Sequence, residues 1–110
     1  MSTLPPPLRP DGTALLVVDI QERLLPAIFE GERCTNAAIG MVRAAQVLGL
    51  PILVTEQYPA GLGPTVQRLR EVLGDAPTFE KRRFSSCIET VLAKLRELDR
   101  PSLVVVGIEA

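Results

Sequence analysis

Three side chains in this 110-residue sequence have types and settings from which a hydrolytic site could be built: Asp19, Lys81 and Cys87. Asp19 breaks the apolar run Thr13 to Ile20 (TALLVVDI). It can cap the turn that follows, or it can serve as a general base in a crevice. Lys81 lies within Phe79 to Phe84 (FEKRRF), among Glu80, Arg82 and Arg83. It can belong to a solvated charge cluster; placed beside Asp19 it could steady a thiolate or a developing oxyanion. Cys87 falls in the first turn of a predicted helix, where the macrodipole favours a thiolate. The chain has no histidine, so a Cys-His pair is impossible, and a buried, inert thiol is the alternative. Cys34 has no partner pattern.

Other chemistries find less support. Metal binding would need histidines, a close cysteine pair or a cluster of acids at ligand spacing, and none occurs. Gly61-Leu62-Gly63 is too short and wrongly placed to cradle a phosphate before a helix. Neither a metal nor any other cofactor is therefore expected.

The elements that must hold these residues follow from periodicity. Leu4 to Pro10 (LPPPLRP) is too rich in proline for helix or sheet, so residues 1–12 read as an extended arm. Thr13 to Ile20 suits a strand buried on both faces, as parallel sheets require. Thr35 or Asn36 is the expected N-cap of a helix carrying Ala37, Ala38, Met41, Val42, Ala45 and Leu48, stopped by Gly49 and Pro51. Ile52 to Thr55 (ILVT) is a second buried strand, and Glu56 to Pro64 (EQYPAGLGP) a loop. Thr65 to Leu73 is an amphipathic helix. Thr78 to Lys81 is a short strand. Ser86 and Glu89 form a capping box for a helix ending near Asp99 and Pro101, and Ser102 to Val106 (SLVVV) is a further buried strand with a central place in the sheet.

That alternation, with short connections, is the pattern of a right-handed parallel α/β sheet. Ligands in such sheets bind at the carboxyl ends of the strands. Those ends carry Asp19 with Gln21, Glu56 with Gln57 and Tyr58, and Gly107 with Glu109.

Composition narrows the function. Twelve basic against 13 acidic residues leave a net charge of −1, with no basic stripe interleaved with aromatics, so nucleic acid is not an expected partner. No apolar run nears the roughly 20 residues that cross a bilayer, and the Pro-rich start lacks the features of a secretory signal. Two cysteines make no disulfide framework. A cytoplasmic location is expected.

Four segments together carry a resemblance: Leu15 to Arg23 (LLVVDIQER), Val54 to Thr65 (VTEQYPAGLGPT), Glu80 to Ser85 (EKRRFS) and Val104 to Ala110 (VVVGIEA). In order and spacing they resemble the isochorismatase-like cysteine hydrolases, and most nearly the isochorismatase domain-containing proteins. The EQYPxGLGPT segment is the specific part. The resemblance implies a three-layer α-β-α fold with a six-stranded, Rossmann-like parallel sheet, and an Asp-Lys-Cys triad. Asp19 matches the family's general base and Lys81 its lysine. The family's cysteine follows the Gly-Ile-Glu-Ala segment at the start of the next helix, beyond Ala110, and Cys87 does not align with it. Residues 13–110 are thus expected to be the N-terminal part of one domain, incomplete at its C-terminus and inactive alone.

The resemblance further implies an oxyanion region at Glu109 and Ala110, next to Ile108. Gln21 and Tyr58, at the strand ends, are the candidate substrate contacts. Where nicotinamidases of the family carry metal-binding Asp and His, this chain has Glu56, Gln57 and Tyr58. The implied activity is metal-independent, thiol-dependent hydrolysis of a small amide-type C–N substrate, in a homo-oligomer. The alternative is a non-catalytic protein that keeps the fold for binding or oligomerisation.

Overall fold

The computed structural model describes residues 7–82 and 88–108. Its sheet has four parallel strands in the order β3-β2-β1-β4, with β1 Thr13–Val18, β2 Ile52–Gln57, β3 Thr78–Lys81 and β4 Ser102–Gly107. Every residue of β1 is buried, which is why its sequence is a continuous apolar run rather than an alternating one.

Two helical layers cover the sheet. The helices α1 (Gly31–Leu48) and α3 (Gln67–Leu73) pack on one face, where Leu15, Val17 and Val54 meet Ala38, Val42, Ala45, Leu69 and Leu73. On the other face Leu16, Val18 and Leu53 pack against Phe79 and against Leu95 and Leu98 of α4 (Glu89–Leu98). Burying each such aliphatic side chain contributes about 1.5–3 kcal/mol. The crossover from β1 to β2 runs over one face and that from β3 to β4 over the other. β1 and β4 are therefore neighbours whose connections diverge, and a crevice opens between their carboxyl ends.

Several boundaries differ from expectation. α1 starts four residues before Thr35, after Glu30 in the left-handed conformation (φ 53°). Both candidate caps are used otherwise: Thr35 donates from inside the helix to Gly31 O at 3.0 Å, and Asn36 Oδ1 accepts from Arg68. The C-terminus is as expected, with Gly49 left-handed and Leu50 N–H bonded back to Ala45 O, a Schellman arrangement. The expected loop Glu56 to Pro64 is partly ordered. β2 runs on through Gln57, and Pro59–Leu62 forms one helical turn, α2, begun by a proline whose missing N–H costs nothing at that position. Pro10–Gly12 is a 3-10 turn rather than extended chain, held by Arg100 donating to Pro10 O at 2.7 Å. Ser86 of the expected capping box lies outside the described residues.

β4 is an apolar edge of the sheet: among the described residues it pairs only with β1, and its residues alternate between half-buried and exposed. Leu103 and Val105, on the α4 face, are 40% and 50% exposed. Among the described residues no strand or helix lies beyond them to cover that side.

Candidate active site

Asp19 directly follows β1 and Lys81 ends β3, at opposite sides of β2. Parallel register brings their ends level: Val18 pairs with Thr55, and Gln57 pairs with Lys81. Asp19 takes a left-handed φ of 58°, unusual for a non-glycine residue. Its side chain meets Lys81, with Nζ 2.7 Å from Oδ2 and both side chains at 0% exposure. The other oxygen, Oδ1, accepts from Thr55 Oγ1 at 2.9 Å. Among the described residues the ion pair with Lys81 is the polar contact made by Oδ2. Removing two charges from water costs several kcal/mol per ion, so a buried pair is weak evidence for stability and better evidence for a chemical role.

A network of clamps holds the surrounding loop. Gln21 is fully buried. Its Nε2 donates to Gln57 O (2.9 Å) and Gly63 O (2.7 Å), and its Oε1 accepts from Gln57 N at 2.7 Å. Both amide donors are thus spent on backbone, since a buried amide at a loop crossing serves the loop's own carbonyls first. Glu56 Oε2 accepts from Thr65 N at 2.6 Å and Thr65 Oγ1 at 2.8 Å. Glu56 is thus committed to the loop, and no group of three or more His, Cys, Asp or Glu that could hold a metal ion occurs among the described residues.

Tyr58, the other expected contact, is 52% exposed. Its N–H donates to Lys81 O at 2.9 Å, and the Arg82 guanidinium stands 6.0 Å from its ring centroid, the outer limit of a cation-π contact. Tyr58, Pro59, Ala60, Glu80, Lys81 and Arg82 line a pocket of about 290 Å³. A more apolar cavity of about 230 Å³ adjoins Thr13, Leu48, Leu50 and Val104, toward the amino ends of β1 and β2, away from the acid and lysine.

At the β1–β4 crevice, Gly107 has φ 148° and a Cβ there would run into Val18 O. The same carbonyl accepts from Ile108 N at 3.1 Å. Glycine lets the backbone after β4 lie against β1 one residue before Asp19. Glu109, Ala110 and Cys87 lie outside the described residues.

Sequence reading missed Thr55 as a site residue, although it carried a usable signal, the one that picked out Asp19: a polar residue closing an apolar run. Gly107 was placed at a strand end but its part was not legible, because it depends on how close β4 comes to β1.

Fold and site define an open parallel α/β domain with a buried acid-lysine pair beside its switch point. The family described as isochorismatase domain matches residues 13–110, and the chain belongs to that family. It is 39% identical over 100 residues to isochorismatase domain-containing protein 2 of Danio rerio, covering 90% of this chain and 50% of the relative. The structure of MAR1 ribonuclease from Caenorhabditis elegans superposes with a TM-score of 0.84 at 36% identity, over 91% of this chain and 52% of that one. YcaC of Escherichia coli, described as an octameric hydrolase of unknown specificity, shares the fold with a TM-score of 0.81 at 24% identity over 92% of this chain and 52% of its own. The chain spans about half the length of the relatives it matches.

Proposed function

We propose that the whole protein is a metal- and cofactor-independent cysteine hydrolase of the isochorismatase family, acting on a small amide-type substrate. The observation that carries this reading is the Asp19–Lys81 pair, fully buried with Nζ 2.7 Å from Oδ2. Oδ2 would take the proton of a cysteine thiol that the family resemblance puts beyond Ala110. The thiolate would attack the carbonyl carbon, with the oxyanion held by backbone N–H groups in the 108–110 region. Collapse would break the C–N bond, the amine leaving with the proton from Asp19. Water, deprotonated by Asp19, would then cleave the thioester and return the thiol. Lys81 would hold the thiolate and offset charge throughout.

Tyr58 and Arg82 at the pocket edge are the proposed substrate contacts; Gln21 would act on them through the loop it clamps. A cytoplasmic setting suits a reduced thiol. Assembly of copies belongs to the same proposal.

The test is hydrolysis by the full-length protein of a panel of small primary and secondary amides, before and after complete thiol alkylation. The name of the C. elegans relative adds an RNA oligonucleotide to that panel. Amide hydrolysis abolished by alkylation is expected. Hydrolysis that survives complete alkylation sinks the mechanism, and no hydrolysis of any substrate favours a fold-retaining binding protein.

A further inference from the structure

We infer that Thr55 is a positioning residue for Asp19, holding its side chain in the one rotamer that faces Lys81; this rests on the hydrolase reading above. Lys81 Nζ lies 2.7 Å from Oδ2, but an ammonium on a flexible four-carbon stem can follow a carboxylate that moves. The hydroxyl of Thr55 fixes the acid: it is one directional donor on a side chain stiff at χ1, and it lies 2.9 Å from Oδ1.

Thr55 also holds Asp19 at a second point, its carbonyl accepting Asp19 N–H at 3.1 Å. Backbone and side chain of the acid are thus both fixed to one residue of β2, and both residues have no exposed surface. With Oδ1 on the hydroxyl and Oδ2 beside Lys81, the carboxylate is held in a single orientation. The left-handed backbone of Asp19 makes such fixing necessary, since strained conformations persist only where surrounding contacts over-determine them.

The experiment compares Thr55→Val, which removes the hydroxyl at constant shape, with Thr55→Ser, which keeps it. Three-bond NMR couplings report χ1 of Asp19 and require no activity. A single rotamer is expected in the wild type and Thr55→Ser, and rotamer averaging in Thr55→Val with the amide spectrum otherwise unchanged. In the amide assay Thr55→Val should lower kcat by about 10- to 100-fold with KM little changed, and Thr55→Ser should recover most of it. One fixed rotamer in Thr55→Val, or full kcat in that variant, overturns the inference. An inactive wild type would count against the hydrolase reading alone, and the couplings would still decide what Thr55 does to Asp19.

Discussion

Asp19 Oδ2 and Lys81 Nζ lie 2.7 Å apart, and neither side chain reaches solvent. The two residues come from different strands, separated by β2, so the pair exists only when β1, β2 and β3 are in register. It therefore reports on the fold as well as on chemistry. Either charge left alone inside the domain has no water to turn to.

Lys81→Met should consequently destabilise the protein by about 3–5 kcal/mol, the cost of an uncompensated buried charge. Adding Asp19→Asn to the same variant removes the orphaned carboxylate and should recover more than half of that loss. Urea denaturation of the two variants and the wild type checks this. Equal stability of the single and double variants would mean that the charge is relieved in some other way.

The same pair marks how far the sequence could be read. Asp19 stood out because it interrupts Thr13 to Ile20, and the parallel sheet followed from continuous apolar runs. What joined Lys81 to Asp19 was the family resemblance; seen alone, FEKRRF reads first as a solvated cluster, and strand order is what makes Lys81 a buried neighbour. Gln21 shows another limit. Its place at a strand end marked it as a candidate contact, but that its amide fastens Gln57 and Gly63 was not legible, because those partners are fixed by how β1 and β2 end. α1 began earlier than its side-chain caps implied because a left-handed Glu30 opens it, and backbone conformation of that kind leaves no mark on hydrophobic spacing.

The Gln21 clamp has a local consequence. Gln21→Leu keeps much of the volume but strands Gln57 N–H and two carbonyls, so a loss of about 2–4 kcal/mol is expected from unsatisfied buried groups. Hydrogen exchange at the Gln57 amide should accelerate by more than exchange at Val17 and Val54 in the sheet centre, which rises only with the loss of global stability. An unchanged Gln57 exchange rate would show that another acceptor replaces the glutamine.

Gly107→Ala tests the crevice. The new methyl meets Val18 O at a backbone φ of 148°, where an L side chain is strained even with room around it. A loss of about 3 kcal/mol is expected, mostly as faster fraying of the β4 end, measurable by thermal melting and by exchange of the Ile108 amide that bonds to Val18 O. A variant that melts with the wild type would require β4 to sit further from β1.

β4 carries the last prediction. A parallel strand with one neighbour presents a row of backbone donors and acceptors along its open side, and here Leu103 and Val105 add apolar area on the α4 face. The 110-residue chain should therefore self-associate in a concentration-dependent way, seen as a rising mean mass in sedimentation. Val105→Lys puts a charge in the middle of that patch at a half-exposed position, so it should reduce association with little effect on the fold. Gly40→Lys, a control on α1 with open space around its Cβ, should leave association unchanged. If both variants dissociate the chain equally, net charge rather than the β4 surface is responsible. If the wild type is a monomer at every concentration, the β4 face is closed by some other means.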